Sequence, residues 1–499
     1  LSQTEGLKIT GSLIGGQGAT ATNNVINLRG TDISGYIYGG RLAGGTPSAT
    51  ATDANTLNIH DMGAKAHYFE GIQNINFYLS PKADLAKSML TLDAPLGKDL
   101  HGTNFNVAIE GDVVSLIKLP NTQHIATDTI ADITATQGVT MDYTFGFETR
   151  NTQSSSSLIK NEFVARVKDA KVKSETKTLV ETQSAAIAFL ASGSDLLTDV
   201  GIPAAETAAM QIADIVDAPL ADSKKTNATK APLSSLGSYQ LFAAQSYGNM
   251  RLKTGSHVDA KGWNLNVGYA RRSELLSSSL TFGPFIEYGS GTYDSYLDDG
   301  THGDGKTSYF GVGIMAKSEK DNGTYIEGSL RVGKAKSDYS GTIGKTMTGY
   351  DVSSSYFAGH LGIGQKKEFD NGNKFETYAK YFYAHQAGTS AKLSSGENYD
   401  FNASTSSRIR LGTRYTFKNG LDGEFYAGLA WEYEFDAEST ASYQGAPLPG
   451  TSLKGSTTLF ELGYRFAPMD STVSYGLNLT GFKGKRKGFT GGFNIAWAF

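Results

Sequence analysis

The second half of the chain alternates large apolar residues with small, polar or charged residues in one segment after another. From Phe425 to Phe435 every odd-numbered residue is apolar, while Glu432 and Glu434 are among the even-numbered ones. A similar alternation recurs from Trp263 to Tyr269 and from Phe489 to Phe499. A period of two places alternate side chains on opposite faces of a β-sheet. The pattern therefore predicts a sheet with one dry face and one wet face.

We count twelve such segments between Leu236 and Phe499, and an even number is usual for a single-chain outer-membrane barrel. Connections after predicted strands 2, 4, 6, 8 and 10 are short. Those after strands 3, 5, 7 and 9 are expected to be long, around 294–305, 339–349, 387–399 and 437–452. Outer-membrane barrels have short periplasmic turns and long external loops, so both barrel ends should be periplasmic. The predicted strands are 241–254, 261–272, 277–290, 306–318, 323–337, 351–367, 373–385, 400–417, 421–436, 454–467, 471–482 and 487–499.

Twelve charged residues in these segments, six acids and six bases, share the parity of the polar set. A Lys or Arg that faced lipid near the bilayer midplane would cost about 2–4 kcal/mol, so we expect them to face a hydrated lumen and to pair there. Aromatic girdles are expected at Trp263, Tyr433 and Phe435 on the outer side and at Trp497 and Phe499 on the periplasmic side. The predicted lumen-facing charges are Glu287, Glu327, Arg331, Glu376, Lys380, Arg408, Arg410, Arg414, Glu432, Glu434, Glu461 and Arg465.

Composition narrows the class of protein further. With 45 basic and 49 acidic side chains the net charge is −4, which excludes a polyanion-binding protein built on bulk charge. The chain has no cysteine and therefore no disulfide framework. Its longest apolar run, Ala185 to Ala191, is too short for a transmembrane helix, so strands are expected to span the membrane. The chain begins at Leu1 without a basic-then-apolar leader, so any secretion signal is expected outside this sequence.

Residues 1–165 contain short apolar clusters separated by turn residues, at irregular intervals of roughly 15–20 residues. Such spacing is typical of solenoid rungs, and we interpret the region as the end of a parallel β-helix. A loosely ordered stalk rich in Gly and Thr is the alternative. The clusters are Val25–Leu28, Leu57–Ile59, Ile75–Leu79, Leu90–Leu92 and Phe105–Val107.

Good helix formers fill residues 172–197, which have no Gly or Pro before Gly193. Such a helix would reach about 39 Å, yet its charges and small residues make it unfit to touch lipid. A second short helix, 204–216, is predicted after Pro203. A polar linker, 221–236, should follow it.

These three parts together resemble a classical monomeric autotransporter of the type V secretion pathway (type Va). The most specific segments are residues 177–195, KTLVETQSAAIAFLASGSD, residues 254–263, TGSHVDAKGW, and residues 493–499, FNIAWAF. The resemblance implies an all-β fold: a twelve-stranded antiparallel transmembrane β-barrel with an N-terminal helix in the lumen, preceded by the end of a parallel β-helix passenger. Its implied domains are passenger 1–165, linker 166–235 and barrel 236–499.

In that family the barrel assembly machinery and periplasmic chaperones bring the barrel into the Gram-negative outer membrane, and the last strand is the insertion signal. The passenger crosses to the cell surface, residues 105–165 match the junction that starts its folding, and the linker helix stays in the pore. The implied signal residues are Phe493, Ile495, Trp497 and Phe499, and the implied lumenal helix residues are Leu179, Glu181, Ala185, Ala188, Phe189 and Asp195.

The resemblance also sets the expected partners. They are outer-membrane lipid and an unidentified surface ligand, with a monomeric barrel, no nucleic acid and no cofactor. The helix lacks the Asn-Asn pair of the self-processing subfamily, so the passenger is expected to stay attached. Glu181 and Asp195 could serve other cleavage chemistry, but a helix charge that is solvated or paired in the lumen is the favoured interpretation.

Motifs that carry chemistry elsewhere are not assigned here. The GVGIMA sequence at Gly311–Ala316 resembles a dinucleotide fingerprint, but its glycines lie inside an alternating strand. The GTSL sequence at Gly450 has no helix after it, so it is no nucleophile turn. No complete metal site is predicted from the remaining candidates. They are Asp298, Asp299 and Asp304 in a loop, the pair His60 and His67, and His360, which is assigned to the pore lining.

We therefore predict a translocator and surface anchor that displays an adhesin and has no catalytic residues. One alternative is an outer-membrane channel whose N-terminal region is a periplasmic domain or plug. The other is a passenger hydrolase whose catalytic part lies upstream of residue 1.

Overall fold

A computed structural model of the protein describes residues 6–44, 53–79, 87–95, 103–109, 117–119, 128–137, 139–155, 157–217, 239–420, 422–468 and 471–498. The chain divides into two compact units, Leu1–Lys173 and Ser174–Phe499. Each unit has its own architecture and is taken by itself below.

Thirteen of the seventeen strands described in the first unit pair with a parallel neighbour. Sheets β4-β8-β11-β13, β1-β5-β9-β12 and β2-β6-β10 each pair parallel neighbours, so successive strands stack on one another. All five predicted apolar clusters lie in strands. The strands are β1 (Lys8–Ile9), β2 (Leu13–Ile14), β3 (Gln17–Gly18), β4 (Val25–Arg29), β5 (Asp32–Ile33), β6 (Tyr36–Tyr38), β7 (Arg41–Leu42), β8 (Thr56–His60), β9 (Ala64–Ala66), β10 (Tyr68–Glu70), β11 (Asn74–Leu79), β12 (Leu90–Pro95) and β13 (Asn104–Ile109).

In-register stacking explains why these short strands are stable. Ile26, Leu57, Ile75 and Phe105 occupy one register column, and all four are buried. On the opposite face, asparagine side chains donate from Nδ2 to the Oδ1 of the next strand, from Asn58 to Asn27 (2.7 Å), Asn76 to Asn58 (2.9 Å) and Asn106 to Asn76 (2.7 Å). Each strand thus adds an apolar layer and an amide layer to its neighbour.

The first unit ends in antiparallel strands, which are β14 (Ile117–Leu119), β15 (Asp128–Gln137), β16 (Met141–Ser155) and β17 (Leu158–Val172). β12 pairs parallel with β9 on one edge and antiparallel with β17 on the other. The Phe163 ring of β17 lies 5.5 Å from both Phe77 and Phe105 between ring centroids. The antiparallel hairpins therefore cover the last apolar layer of the parallel stack.

One continuous helical rod opens the second unit. It consists of a 3₁₀ turn (Ser174–Thr176), α1 (Lys177–Leu196), a π turn (Leu197–Gly201) and α2 (Ile202–Asp217). The prediction of two separate helices was wrong, as was a start at Val172, which is the last residue of β17. The π turn takes up the irregularity at Gly201 and Pro203 without a break, and both flanking residues, Leu196 and Ile202, keep right-handed helical dihedrals.

By length and mean hydropathy, Ser174–Met210 is a helix that could cross a membrane, and 94% of its most apolar window is buried in the protein. The strands that bury it are antiparallel and form a closed barrel, in which β35 pairs with β18. The prediction of twelve strands is confirmed. They are β18 (Gln240–Lys253), β19 (His257–Glu274), β20 (Ser278–Tyr296), β21 (His302–Lys320), β22 (Thr324–Ile343), β23 (Thr346–Glu368), β24 (Lys374–Gln386), β27 (Ser404–Asn419), β28 (Gly423–Glu434), β33 (Gly455–Phe466), β34 (Val473–Gly484) and β35 (Arg486–Trp497).

Two of the four predicted long connections are wrong. Five residues, 297–301, join β20 to β21, and Gly344 with Lys345 alone join β22 to β23. These strands continue past the segments in which apolar and polar residues alternate regularly. Tyr339 and Tyr350 still pair across β22 and β23 and point inward.

The long connections 387–403 and 435–454 carry strands of their own. β26 of the first connection pairs with β30 of the second, so the two connections share one small sheet. This sheet lies at the same end of the barrel as the 254–256 hairpin. These strands are β25 (Thr389–Lys392), β26 (Asn398–Phe401), β29 (Glu438–Ser439), β30 (Ala441–Tyr443), β31 (Ala446–Pro447) and β32 (Thr451–Ser452). We call the end of the barrel that carries these strands and the 254–256 hairpin the loop end.

Candidate functional site: the barrel lumen and its helix

The two faces of the barrel wall differ in polarity. Outward-facing Leu361, Ile314 and Ile326 are exposed by 67%, 60% and 59% of their surfaces, whereas inward-facing positions carry the charges. Glu376 and Arg465 lie toward the other barrel end, with side chains exposed by 13% and 31%. The remaining predicted lumen-facing charges are buried, and they are Glu287, Glu327, Arg331, Lys380, Arg408, Arg410, Arg414, Glu432, Glu434 and Glu461.

The helical rod fills the space that these charges line. All predicted helix residues are buried, namely Leu179, Glu181, Ala185, Ala188, Phe189 and Asp195. The rod also carries Asp199 and Glu206, whose side chains are 11% and 12% exposed and which were not predicted from the sequence. Their spacing from Asp195, four and eleven residues, puts all three near one helix face, and that spacing is the signal that could have identified them.

At the centre of the lumen a cluster of five residues holds the rod; we name it the Asp195 cluster. Asp195 accepts from Arg410 (2.6 Å), Arg486 (2.7 Å) and Arg408 (3.3 Å). Glu432 lies on the other side of the same guanidinium groups, at 2.9, 2.6 and 3.1 Å respectively. Arg486 was missed because the predicted last strand began one residue later. Buried charges of this kind are tolerated in apolar surroundings when they are paired.

Two further lumenal cations bind the rod through its backbone. The Arg331 guanidinium pairs with Glu287 at 2.5 Å and donates to the Leu190 carbonyl at 3.2 Å. Lys380 lies 3.0 Å from Glu327 and donates to the Thr198 carbonyl at 3.3 Å. The second contact falls on the π turn, where the backbone hydrogen-bond pattern is altered. The cations therefore position the rod along the barrel axis as well as around it.

Closer to the loop end, a buried carboxylate is held by hydroxyl groups. Glu181 accepts from Thr254 at 2.6 Å and also from Ser256 and Ser295. Lys177 Nζ donates to Ser256 Oγ at 3.0 Å. The first turns of the rod thus contact the hairpin between β18 and β19, so the rod begins at the loop end.

The two long connections also contact the rod. Gln183 Nε2 donates to the Asn402 carbonyl at 3.0 Å, and Ser184 Oγ lies 2.6 Å from Thr451 Oγ1. The Tyr350 hydroxyl of β23 donates to the Leu179 carbonyl at 2.5 Å. Both long connections and the wall thus bind the same two turns of α1.

Apolar packing fills the space between the charged layers. Phe189 packs in one buried cluster with Leu252, Val258 and Ala260 of the wall. A methyl group added at Gly262 or at Gly291 would come within 2.7 and 2.6 Å of Phe189 Cε1 respectively. Glycine at these two strand positions therefore makes the recess that the Phe189 ring occupies.

On the rod, Gly193 leaves space for side chains of the barrel wall. Glycine inside a helix costs about 1 kcal/mol relative to alanine, so its presence has a packing reason. A methyl group at Gly193 would lie 3.0 Å from Tyr309 Cζ and 3.2 Å from Arg331 Nη1. We expect Gly193→Leu to weaken docking of the rod by about 1–3 kcal/mol through overpacking, measured as increased ion conductance of the purified barrel in planar bilayers.

Tyr309→Ala supplies the matched test of that cause, because it removes the ring that Gly193→Leu would contact. The double variant should conduct less than the two single effects together predict. Strictly additive effects of the two changes would contradict the packing explanation.

The glycine motifs and the His and Asp residues considered above as chemical sites make ordinary structural contacts. Gly311 and Gly313 lie in β21 against Tyr356 and Phe285, and Gly450 lies in the 435–454 connection. His360 is buried 2.6 Å from Ser329 Oγ. His60 stacks on Tyr78, and His67 packs edge-on against Tyr36. In the loop, the Asp299 side chain accepts a hydrogen bond from the Thr301 amide. The neighbouring Asp298 and Asp304 are exposed. Within the described residues no three His, Asp or Glu side chains are grouped to hold a metal.

The outward-facing residues of the last strand form part of the apolar surface. Phe493, Ile495 and Trp497 are exposed by 45%, 38% and 50%, and Phe499 lies outside the described residues. Phe435 is also exposed, whereas Trp263 and Tyr433 are half-buried. The linker 221–236 also lies outside the described residues.

Comparisons with known proteins identify the family of the barrel. Residues 243–480, from β18 to β34, match the autotransporter beta-domain family. No curated protein matches the chain. Similar solved structures include the beta domain of the Bordetella autotransporter BrkA, with 19% identity, 53% of this chain and 100% of that chain covered and a TM-score of 0.44.

Two more solved structures are similar. The translocator domain of the autotransporter NalP from Neisseria meningitidis has 13% identity, 54% and 91% coverage and a TM-score of 0.43. The transport unit of the autotransporter AIDA-I from Escherichia coli has 10% identity, 59% and 99% coverage and a TM-score of 0.43. Residues 243–480 of this chain therefore form an autotransporter beta-domain.

Proposed function

We propose that the outer-membrane barrel exports and then displays the first unit of its own chain on the cell surface, as a β-helical passenger that serves as an adhesin. The observation that carries the proposal is the direction of the helical rod. It begins at the loop end, where Lys177 contacts Ser256, and runs through the lumen toward the opposite end of the barrel. Long connections are external in outer-membrane barrels, so the chain before Ser174 would leave on the external side.

The parallel stack of the first unit supports a passenger whose folding gives export its direction. No ATP is present at the outer membrane, so the energy must come from the chain. Each strand layer buries its apolar side chains only against a neighbour, as Leu57 does between Ile26 and Ile75. Layers that fold first outside would template the next and oppose backward movement.

An adhesin is the favoured passenger because stacked strands offer a long surface for a ligand, whose identity stays open. Within this proposal the barrel is a transporter and the chain is not an enzyme. The barrel is a monomer in outer-membrane lipid, delivered by periplasmic chaperones and inserted by the barrel assembly machinery. Recognition of Phe493, Ile495, Trp497 and Phe499 by that machinery stays a prediction, and so do the domain limits 1–165, 166–235 and 236–499.

Protease treatment of intact cells tests the direction of export. Cells that express the chain behind a secretion signal, with an epitope near residue 1, are exposed to an external protease, and the barrel is detected with an antibody against residues 236–499. We expect the N-terminal epitope to be lost while a fragment that starts near Ser174 is still detected by the barrel antibody, because the rod and barrel are buried or in lipid.

Permeabilised cells are the matched control, since protease then reaches both sides of the membrane. If the N-terminal epitope survived on intact cells and disappeared only after permeabilisation, the first unit would be periplasmic. That outcome would favour the alternative, an outer-membrane channel with a periplasmic domain.

A further inference from the structure

The outward face of the barrel carries a group of cations at the loop end, where β34, β35, β18 and β19 lie side by side. We name it the basic patch. Five of its side chains are exposed, and Lys485 in the hairpin between β34 and β35 is half-buried. Adjacent strands are about 4.8 Å apart, so these groups cover a continuous area across the seam that closes the barrel. The basic patch consists of Arg251, Lys253, Lys261, Lys483, Lys485 and Lys487.

Little negative charge from the protein balances this patch. Arg251 forms an ion pair with Asp259 at 2.6 Å. Within the described part of the chain, none of the five lysines lies within 4.0 Å of a carboxylate. Lys485 donates to the carbonyls of Lys253 at 3.3 Å and Ser452 at 3.4 Å, which are neutral groups.

The environment of Lys485 agrees with an excess of positive charge. Burial and the nearby Lys253 ammonium together lower the pKa of Lys485. A negatively charged ligand would relieve this repulsion, because opposite charge favours the protonated amine.

Directly below the patch lies exposed aromatic surface on the same outward face. Phe489 is two residues from Lys487 along β35 and is 48% exposed, and Tyr247 of β18 is 50% exposed. Trp263 is two residues from Lys261 along β19. We call Phe489, Tyr247 and Trp263 the aromatic band. A ligand that fits this arrangement has an anionic head group at the basic patch and apolar chains against the aromatic band.

We propose that the basic patch binds the phosphate groups of the glycolipid that forms the outer leaflet of the outer membrane, with its acyl chains against Phe489, Tyr247 and Trp263. Lysine ammonium groups bind phosphate by charge-assisted hydrogen bonds. The site would attach lipid to the seam between the first and last strands. It depends on the outer-membrane location of the barrel and is independent of what the passenger does.

The test compares two sets of three lysines in the full chain in detergent. One variant combines Lys483→Gln, Lys485→Gln and Lys487→Gln, in the patch. The matched control combines Lys306→Gln, Lys334→Gln and Lys336→Gln, which are exposed outward on β21 and β22 near Asp304 and Asp338. Both variants remove three positive charges from the same end of the barrel.

Binding of bis-phosphorylated lipid A is measured by native mass spectrometry, with lipid A stripped of both phosphates as the second probe. Loss of three lysines at a lipid headgroup site should weaken binding of the phosphorylated probe by about 100-fold, and the control should bind as the wild type does. The stripped probe should bind the wild type no better than it binds the patch variant.

Inorganic pyrophosphate as competitor separates a lipid site from a plain phosphate site. We expect it to compete far more weakly than lipid A, since it lacks the chains that contact the aromatic band. Three results would each overturn the proposal. They are an equal loss of lipid A affinity in the two variants, equal binding of the two lipids by the wild type, and full competition by pyrophosphate at the same concentration as lipid A. Heat-modifiable gel mobility checks that both variants fold, and protease treatment of cells that express them reports separately on display.

Discussion

Asp195→Asn should release the helical rod from the lumen. The change removes one of the two acids in the Asp195 cluster and leaves Arg408, Arg410 and Arg486 buried with Glu432. Breaking a buried ion pair by removing one partner costs about 3–5 kcal/mol, because the remaining charges lose compensation while they stay out of water. The population of undocked rod should therefore rise by about 100-fold or more.

A reporter cysteine measures this population directly, because the natural chain has no cysteine. Ala186→Cys places a thiol on the buried rod, where the side chain is 2% exposed. The rate of its modification by a membrane-impermeant thiol reagent should rise in the Asp195→Asn background. Ion conductance of the reconstituted barrel should rise with it, because the rod fills the lumen.

Two companion variants separate charge from general damage. Glu175→Gln neutralises a partly exposed acid outside the cluster and should leave the thiol reaction unchanged. Adding Arg486→Gln to Asp195→Asn removes both partners of a 2.7 Å pair and should recover part of the loss. If Asp195→Asn left the thiol as protected as before, the cluster would not be what holds the rod.

Phe189→Ala should have an effect of similar size by a different cause. The ring occupies the recess formed at Gly262 and Gly291, and 6% of its surface is exposed. Replacement of a buried Phe by Ala costs about 3–5 kcal/mol, since it removes apolar contacts and leaves a cavity. We expect the rod to undock more often without any change in the charge of the lumen.

A cysteine at Ala205, which is fully buried in α2, reports on this variant at a distance from the altered site. Phe189→Leu keeps most of the side-chain volume and is the graded control, with a smaller increase in thiol reactivity expected. High salt should enhance undocking more in Phe189→Ala than in Asp195→Asn, because Phe189→Ala keeps the ionic contacts of Asp195 that added ions can screen and Asp195→Asn has already lost them. The same salt response in both variants would contradict the separation of apolar from ionic contributions.

The barrel could be predicted from sequence because its physical cause is local and repeated. A strand in lipid must place an apolar side chain outward at every second residue, and that demand is readable in segments such as Phe425–Phe435. The strand count and the polar parity of residues such as Arg410 follow from the same demand. Beyond the lipid this demand ends, which is why the sequence predicts a loop where β22 and β23 extend to Ile343 and from Thr346.

The rod was predictable as helix, but not as one continuous element. Its composition favours helix from Lys177 onward, whereas Pro203 is a local signal for a new start. The lumen overrides that signal because burial on all sides favours continued helix, and Lys380 binds the Thr198 carbonyl at the π turn.

By itself, the sequence determined that this chain forms a barrel with charged side chains inside, since alternation is a property of each strand alone. Only the tertiary structure decided which charges meet. Asp195 and Arg486 are 291 residues apart, yet their atoms lie 2.7 Å from each other. That contact depends on the strand register, the barrel closure and the depth of the rod together, and no local pattern encodes all three.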